Sequence, residues 1–453
     1  MSVIEWNTWG RAAFERAARE RKPVLLSLVA AWSAACGDMD RVAFADPAVG
    51  ALVAGRFVPV RVDADRRPDI NERYNLGGCP TTAFLTPAGD ILWGATYLDV
   101  EPLRNALDRI SGAFAADRDA IEERAALDRL EVPALPPPLA PNPGLDDWIA
   151  AQAAAALDPA RVGSSGVPTE PPDPAALLFL LRRAAGRDDP ALRDVVSWWA
   201  GNLSDDVMWE RAEDNAALLI FLVEAAAAFR DVRVEARARE VARQLRALVS
   251  SGGIMCVDVI SAVLEACAAA SAIDPDGTMV PFVVDALERT VGATYRPGEA
   301  VGHLVDAPDE VRGLLVDQVR AASALLTVYG ITNRLPYAML AEELMQWTHR
   351  HLRDERGGLL DRVDTGSSIG LLARQVRPFG TNCDAARVLC RLAALHDDER
   401  YRGAAVLAPG ADYRADARRV LGSQTALVPE YGALAAPYGL ALAECADRGA
   451  AGG

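Results

Sequence analysis

The chain has 453 residues, 51% hydrophobic and 24% charged, which is enough for two or three domains with buried cores. It holds 47 Lys and Arg against 63 Asp and Glu, and the net charge of −16 disfavours nucleic acid and anionic membrane surfaces as partners. The seven cysteines are scattered without a metal-type CxxC pair, so we expect no metal and no cofactor. The first 22 residues lack the apolar core of a secretory signal, and a cytoplasmic location is expected.

The first 115 residues alternate between helical and strand-like segments. Apolar spacing predicts a helix over residues 9–21, which Pro23 ends. Strands are predicted over residues 24–29, 57–62, 82–85 and 91–97, and further helices over 34–53, 68–74 and 100–114. This order places two strands in a βαβ context, followed by a hairpin and a closing helix.

A proline-rich segment at residues 133–143 cannot form the interior of a helix and predicts a stiff linker. We therefore divide the chain into a domain at residues 1–115, a helix end and linker at 116–144, and a helical domain at 145–453. The helical domain contains about a dozen amphipathic segments and no convincing strand. Because no fixed repeat period is present, a closed ring of helical hairpins is favoured over a regular solenoid.

The first candidate site combines the segment Ala31–Cys36 with the segment Gly78–Thr81. This pair resembles the thioredoxin W-C-x-x-C motif and its cis-proline loop, with Ser33 in place of the first cysteine and Pro80 as the proline. In a redox site the first thiol ionises at the helix N-terminus and the second resolves the mixed disulfide. A hydroxyl cannot take the first role without an adjacent base, and Ser27 stands where thioredoxins carry a buried acid. Dithiol exchange is therefore not expected.

Cys79 precedes Pro80, so we expect it to lie near the loop that carries Cys36. The two thiols could form a noncontiguous dithiol, or Cys79 could be a single reactive thiol beside Ser33. Both could equally be inert, since free cysteine is among the most buried residue types. Cys36, Cys79 and Ser33 are the candidate catalytic residues of this domain, and Trp32 and Pro80 are its candidate binding residues.

A longer series of motifs runs through the same region. It comprises Arg21–Pro23, Phe44–Val49, Arg67–Ile70, Gly77–Pro80 and Phe84–Gly89. In order and spacing this series resembles the DUF255 family, the spermatogenesis-associated protein 20-like or YyaL-like thioredoxin-domain proteins. The family's loop usually reads C-H-W-C-H, whereas this chain has Ser33, Ala34 and Gly37 at the first cysteine and the two histidines. The chain is therefore interpreted as a divergent and shortened member.

Weaker matches continue downstream. Glu213–Ala216 is similar to the family's Y-D-N-A motif, and Asp354–Asp361 resembles its D-x-x-G-G-F-x-D turn. The resemblance implies an (α/α)6 toroid of the six-hairpin glycosidase and sugar-epimerase type. The expected fold is thus a multidomain α/β plus all-α chain, in which a thioredoxin-like fold precedes an (α/α)6 toroid-like, six-hairpin glycosidase-like helical domain.

A second candidate site lies at the mouth of this toroid, where sugar-binding proteins need carboxylates and aromatic platforms. Trp209, Glu210, Asp214 and Asn215 are the candidate binding residues. Asp214 and Asn215 could instead cap the following helix, and Trp198, Trp199 and Trp347 are interpreted as core residues. The chain has four histidines, His303, His349, His351 and His396. His349 and His351 are two residues apart and would point to different faces of a helix.

Three functions remain open from the sequence. The first is a thioredoxin-fold binding protein with a degenerate S-x-x-C site, which recognises an unidentified protein or small molecule without exchanging dithiols. The second is thiol chemistry through Cys79 with Cys36 as its neighbour. The third is a carbohydrate-active enzyme, an epimerase or hydrolase, that works from the toroid. The sequence leaves open whether the chain is an enzyme.

Overall fold

The computed structural model describes residues 4–130, 136–161, 171–203, 209–364, 366 and 368–450. The chain forms two compact units. The first combines residues 1–135 with residues 364–375, and the second combines residues 136–363 with residues 376–453. The beginning of the predicted linker, including Pro133, lies outside the described residues. Among those described, no helix is both long enough and apolar enough to cross a membrane.

The first unit is built on one mixed sheet. Its strands are β1 (Asn7–Thr8), β2 (Val24–Val29), β3 (Val58–Asp63), β4 (Thr81–Leu85) and β5 (Ile91–Ala95). Their order across the sheet is β1-β3-β2-β4-β5, in which β2 runs parallel to β3 and antiparallel to β4. The predicted βαβ unit followed by a hairpin is confirmed, and with it the thioredoxin-like fold. The short edge strand β1 was not predicted.

The helices of the first unit are α1 (Arg11–Glu20), α2 (Ala34–Val42), α3 (Pro47–Arg56), α4 (Pro68–Tyr74), α5 (Val100–Ala116) and α6 (Arg118–Leu130). The prediction of one helix over residues 34–53 was wrong. The Asp46 side chain accepts hydrogen bonds from the backbone N–H groups of Ala48 and Val49 and caps a new helix, α3. Pro47 fits the first position of that helix and disfavours helical backbone at the residue before it.

Side chains on both faces of the sheet are buried. Leu26 of β2 joins one apolar cluster with Phe14, while the adjacent Leu25 joins a second cluster with Phe57. Successive strand residues point to opposite faces, so a strand covered on both sides needs an unbroken apolar run. This explains why residues 24–29 are hydrophobic at every position except Ser27.

Residues 364–375 complete the first unit, although sequence analysis left them within the helical domain. Leu372 is buried in the same cluster as Phe14, and the backbone N–H of Leu371 donates to the Tyr74 hydroxyl at 2.9 Å. Gly370 has a φ of 58°, and a Cβ there would lie 2.3 Å from that hydroxyl. Glycine is therefore required at this point by both its conformation and its close approach.

The second unit consists of helices. They are α7 (Gly144–Ala156), α8 (Pro174–Arg187), α9 (Pro190–Asn202), α10 (Ala212–Phe229), α11 (Val232–Ser250), α12 (Val257–Ala270), α13 (Met279–Thr294), α14 (Leu315–Thr332), α15 (Leu335–His351), α16 (Phe379–Asp397), α17 (Glu399–Ala404), α18 (Tyr413–Gly422), α19 (Val428–Tyr431) and α20 (Ala436–Ala450). Several begin with an aspartate that accepts hydrogen bonds from the first turn, as at Asp189 and Asp231.

The helices of the second unit form a closed double ring. Helices α8, α10, α12, α14, α16 and α20 each contact the next in this order, and α20 contacts α8 again. Helices α9, α11, α13, α15 and α18 pack against the inner helices α8, α10, α12, α14 and α16, and α7 packs against α20 and α8. The described helices therefore make six inner and six outer members, and the predicted (α/α)6 toroid is confirmed.

A disulfide joins two neighbours of the inner ring. Cys390 of α16 is bonded to Cys445 of α20, with 5.5 Å between their Cα atoms. Cys36, Cys79, Cys256, Cys267 and Cys383 are not in disulfides. Sequence analysis did not find this bond, because the spacing of residues along one helix does not reveal a partner on another.

Candidate functional site

The loop before α2 is tied to the loop before β4. The Ser33 hydroxyl donates a hydrogen bond of 2.8 Å to the carbonyl oxygen of Cys79, and Ser33 is almost fully buried. Ser33 precedes the first residue of α2, but its side chain makes no capping bond to that helix. The hydroxyl that replaces the attacking thiol is therefore committed to holding the two loops together.

Cys36 lies in the first turn of α2 and is 5% exposed. Its sulfur accepts a hydrogen bond from the backbone N–H of Ala30 at 3.4 Å. Ser27, at the position of the buried acid, is fully buried and its hydroxyl has no hydrogen-bond partner. The thiol is therefore held below the surface without a nearby carboxylic acid at the Ser27 position.

The bond between Cys79 and Pro80 is cis, as predicted from the sequence. The Cys79 side chain is half-buried, and its sulfur lies 3.9 Å from the Asn75 side-chain nitrogen, which donates to it. Trp32 is also half-buried, and its indole N–H donates to an Asp65 carboxylate oxygen at 3.2 Å. The structure thus brings Ser33 and Cys79 together and leaves Trp32 and Cys79 partly accessible on this unit.

The candidate residues at the start of α10 have mixed surroundings. The Asn215 side chain is buried, accepts from the Trp209 backbone N–H and donates to the Trp209 carbonyl, both at 2.8 Å. Trp209 packs against the toroid core, whereas Glu210 is exposed. Burial raises the pKa of the half-buried Asp214 carboxyl, opposed by Arg211. Asn215 and Trp209 therefore form a structural turn. Arg211 immediately precedes α10, so Asp214 and Asn215 lie inside the helix and do not cap it.

A cavity of about 390 Å³ lies among the inner helices. Its lining includes four guanidinium groups and four carboxylates, and these pair with one another. The pairs are Arg182 with Glu224, Arg320 with Asp384, Arg387 with Glu444 and Arg391 with Glu265. Among the described residues that line it there is no aromatic side chain, no histidine and none of the candidates from α10. This composition does not favour sugar stacking or imidazole catalysis inside the ring.

A different set of groups meets where α12 and α14 begin. Cys256 precedes α12, Asp258 lies in its first turn, His303 lies in the loop after α13, and Asp317 lies in the first turn of α14. His303 Nδ1 is 2.8 Å from Asp317 Oδ1 and 3.8 Å from Asp258 Oδ1. Ligand atoms of Cys256, Asp258 and His303 all lie within 4.8 Å of one another. We call these four residues the His303 cluster.

Backbone hydrogen bonds hold the His303 cluster in place. The Val257 N–H donates to the His303 carbonyl at 2.8 Å, and the Val305 N–H donates to the Met255 carbonyl at 2.9 Å. The loop that carries His303 is thereby paired with the segment that opens α12. The cluster therefore rests on two helix starts and one short antiparallel bridge, all within the second unit.

The His303 cluster holds several ionisable side chains in a buried part of the second unit. Burial, followed by the negative charge of Asp317, raises the pKa of Asp258 to about 6, although His303 opposes the rise. Burial favours neutral His303, but Asp317 and Cys256 outweigh it and raise its pKa to about 12. His303 and Asp317 are fully buried. The physical cause in both cases is a surplus of negative charge in a poorly solvated place.

Sequence reasoning did not find this cluster. His303 was one of four unassigned histidines, and Cys256 was one of several scattered cysteines. Asp258 and Asp317 are both in first helical turns, where acids are common for electrostatic reasons and carry no functional signal. The contact between the loop after α13 and the start of α12 brings Cys256, Asp258 and His303 together, and the packing of α14 beside α12 adds Asp317.

A second buried acid, Glu342 of α15, is surrounded by donors. The His396 ring, the hydroxyls of Tyr401 and Tyr413 and the backbone N–H groups of Leu407 and Ala408 contact its carboxylate oxygens at 2.7–3.2 Å. Burial opposes ionisation, but these hydrogen bonds outweigh it and lower the pKa of Glu342. Its oxygens are fully used, which indicates a structural role.

Solved structures with similar architecture are distant. A cellobiose 2-epimerase from Bacillus thermoamylovorans aligns at 12% identity and a TM-score of 0.41, covering 51% of this chain and 73% of that one. A GH76 α-mannanase from Bacteroides thetaiotaomicron aligns at 9% identity and a TM-score of 0.47, covering 68% of this chain and 100% of that one. At such values the similarity carries no weight for activity, and the ring of helix pairs rests on the helix contacts themselves.

Relatives by sequence align with about a quarter of this chain. Human spermatogenesis-associated protein 20 is 30% identical over 136 residues, which is 27% of this chain and 17% of the relative. An uncharacterized Caenorhabditis elegans protein, B0495.5, is 31% identical over 112 residues, 23% of this chain and 15% of the relative. The alignments thus span less than a fifth of these relatives.

A family model described as "Protein of unknown function, DUF255" matches residues 1–130. The matched span contains the loop of Ser33 and Cys36 and the cis-proline of the Gly77–Pro80 motif. The resemblance predicted from the motif series is therefore confirmed. Over residues 1–130 the chain is therefore similar to the DUF255 family, and spermatogenesis-associated protein 20 is among the proteins that the chain resembles.

Proposed function

We propose that the thioredoxin-like unit is a binding module that recognises an extended polypeptide beside Trp32 and the cis-proline loop, and that it does not exchange dithiols. The observation that carries this proposal is the hydrogen bond from the Ser33 hydroxyl to the Cys79 carbonyl. This bond uses the hydroxyl at the position of the missing first cysteine to link the two loops. A nucleophilic hydroxyl would need an adjacent base instead.

The surface around these loops has features of a recognition face. Trp32 is half-buried and amphipathic, with its indole N–H fixed by Asp65. Leu76, in the loop that leads to Cys79, is 39% exposed. Aromatic anchors with adjacent apolar side chains are typical of the energetic centres of protein interfaces. A polypeptide partner is favoured over nucleic acid because the chain carries a net charge of −16.

The redox part of the proposal is tested by restoring the missing thiol. We expect the wild-type chain to give no catalysed reduction of insulin disulfides by dithiothreitol. In Ser33→Cys the new thiol would stand at the start of α2, three residues before Cys36, where the helix N-terminus favours its thiolate. We expect this variant to gain reductase activity. Wild-type turnover equal to that of the variant would contradict the proposal.

The binding part is tested with a permanently unfolded polypeptide, reduced and carboxymethylated α-lactalbumin, followed by fluorescence anisotropy of a label on that probe. We expect Trp32→Ala to weaken binding roughly tenfold, as the loss of one interface anchor does. Val42→Ser is the matched control, because Val42 is 49% exposed on the same unit. It lies about 13 Å along α2 from Ser33. Equal affinity of the wild type and Trp32→Ala would contradict the proposed face, provided both chains show the same thermal unfolding.

The second candidate function is thiol chemistry at Cys79. Its thiol is the more accessible of the two in this unit, and the Asn75 amide donates toward the sulfur, which favours a thiolate. We expect Cys79 to react with iodoacetamide at neutral pH far faster than Cys36 in the native chain. Asn75→Ala would slow that reaction if the amide activates the thiol. Labelling of Cys79 only after unfolding would remove this candidate.

The carbohydrate alternative has the six-hairpin ring in its favour, but that is fold alone. The charged lining of the inner cavity offers ion pairs in place of aromatic platforms. A panel of mono- and disaccharides should therefore leave the thermal unfolding of the chain unchanged. A sugar that raises the unfolding temperature in a concentration-dependent way would return this function to first place.

A further inference from the structure

The His303 cluster contains a thiol, an imidazole and a carboxylate whose ligand atoms converge within 4.8 Å. Thiolate, imidazole and carboxylate are the three side-chain donors that proteins use for zinc. Calcium and magnesium prefer oxygen donors alone, so a mixed set with sulfur and nitrogen selects a borderline transition metal. The donor chemistry therefore points to Zn²⁺ or a similar divalent ion.

The second observation is a pair of unsatisfied oxygens. Asp317 is fully buried, and its Oδ2 has no hydrogen-bond partner. Asp258 Oδ1 is also buried without a hydrogen bond, although it lies 3.8 Å from His303 Nδ1. Buried carboxylate oxygens are nearly always hydrogen-bonded or bound to a cation, because an unpaired one loses its hydration without replacement. Glu342, in the same unit, shows the satisfied case, with every donor close to its oxygens.

Charge points the same way. Asp258 and Asp317 face a single imidazole, so the carboxylates of the cluster outnumber its one basic side chain. A divalent ion would offset that excess, and the Cys256 thiol would lose its proton on binding. The groups stand on the first turns of α12 and α14 and on a loop paired to α12 by backbone hydrogen bonds. Such rigid supports preserve the arrangement of ligands.

We propose that Cys256, Asp258 and His303 bind a zinc-class divalent cation, and that Asp317 is a positioning residue which holds the His303 ring through Nδ1. A carboxylate behind a metal-binding histidine is a common arrangement that fixes the ring and its tautomer. Cys256 and His303 are almost completely buried, so the ion would be structural and would fasten the loop after α13 to the start of α12.

The same residues admit one other chemistry. A thiol beside an imidazole that is oriented by a carboxylate is also the arrangement of a cysteine nucleophile. That interpretation requires access for a substrate, whereas Cys256 is 6% exposed and His303 is 0% exposed. The metal is therefore the proposal, and nucleophilic reactivity of Cys256 is an outcome of the test.

The test uses the full chain, stripped with a chelator and titrated with Co²⁺, which reports on thiolate ligation through a sulfur-to-cobalt charge-transfer band. We expect one equivalent of Co²⁺ to bind with this band and Zn²⁺ to displace it. Cys256→Ala should lose the band, while Cys267→Ala, a substitution of a buried cysteine of α12 that is also not in a disulfide, should keep it. Asp317→Asn should keep the band and lower the affinity roughly 10–100-fold.

The titration of the wild type decides the matter even if Cys256→Ala does not fold. A wild-type chain that shows no charge-transfer band at one equivalent of Co²⁺ overturns the proposal. A band that survives in Cys256→Ala also overturns it, because another thiolate then holds the metal. Rapid alkylation of Cys256 in the native chain, unchanged by Zn²⁺, overturns it in favour of a nucleophile.

Discussion

The loop of Ser33 and Cys36 and the His303 cluster arrange their reactive groups in opposite ways. In the loop, a contiguous motif is present but its parts are engaged separately: Ser33 bonds to a carbonyl and Cys36 to a backbone N–H. In the cluster, no motif exists, yet a thiol, an imidazole and two carboxylates converge on one buried point. A motif thus marks a resemblance to a family, whereas convergence of donor atoms marks where a ligand could be bound.

The difference also lies in how each region treats its polar atoms. The loop satisfies the Ser33 hydroxyl and leaves little electrostatic stress. The cluster keeps carboxylate oxygens without partners in a poorly solvated place. Natural structures rarely tolerate such atoms without a cation, a water or a function. Three substitutions test this difference, and we expect their effects to decrease from His303→Ala through Glu342→Gln to Ser33→Ala.

The largest effect is expected from His303→Ala. This change leaves Asp317 and Asp258 buried without their counter-charge, and breaking a buried pair costs about 3–5 kcal/mol of unfolding free energy. Urea denaturation of the full chain measures the loss as a shift in midpoint. His349→Ala is the control, since its ring is 35% exposed and lies 3.6 Å from Asp416. The control should cost less than about 1 kcal/mol. Equal costs would show that the cluster is not under electrostatic stress.

We expect a smaller loss of stability from Glu342→Gln. This substitution probes a buried acid whose oxygens are all hydrogen-bonded, in contrast to the acids of the His303 cluster. Replacing the carboxylate weakens hydrogen bonds to a charged acceptor, each worth about 1.5–3 kcal/mol, and we expect a total loss of about 2 kcal/mol at pH 7. If the loss of unfolding free energy is smaller than for His303→Ala, a buried carboxylate with a complete set of hydrogen-bond donors depends less on any one contact.

The pH dependence of this difference follows from the lowered pKa of Glu342. A carboxyl whose folded-state pKa lies below its ordinary value stabilises the fold above that value, 4.5, and loses the contribution as pH falls through the folded pKa. The gap in stability between wild type and Glu342→Gln should therefore be constant from pH 7 to about 5 and close below about 4.5. A gap that widens in acid would contradict the assigned direction.

The smallest effect is expected from Ser33→Ala. It removes one neutral hydrogen bond to the Cys79 carbonyl, worth about 1 kcal/mol, and leaves the wild type's lack of reductase activity unchanged. Thermal unfolding of the first unit and the insulin assay measure the two quantities. Loss of a measurable activity in this variant would mean that the hydroxyl takes part in chemistry, and the contrast between the two regions would fail.

Much of the architecture could be predicted because local patterns carry it. The apolar run at residues 24–29 and the Gly77–Pro80 motif located the central strand and the cis-proline from sequence alone. Helical periodicity indicated about a dozen helices after residue 145, and the family resemblance supplied their arrangement in a ring. The break between α2 and α3 was missed, although the Asp46 and Pro47 signals were present in the sequence.

The parts that could not be predicted depend on contacts between distant segments. Nothing near Cys256 in the sequence indicates that His303 will lie beside it, and nothing near Cys390 indicates Cys445. The structural role of Asn215 follows from three hydrogen bonds to a turn whose shape the sequence does not show. Periodicity and motifs report on neighbours along the chain, and these groups are neighbours only in space.

The packing of residues 364–375 into the first unit has a consequence for how this architecture can be inherited. Leu372 fills part of the core behind the sheet, and the Tyr74 hydroxyl meets the backbone of Leu371. A gene fragment that ends at the proline-rich linker would encode the fold without one of its own core residues. The unit is therefore discontinuous in sequence, and residues 1–135 transferred alone to another protein would leave a gap beside Tyr74 unless the recipient supplied a segment in place of residues 364–375.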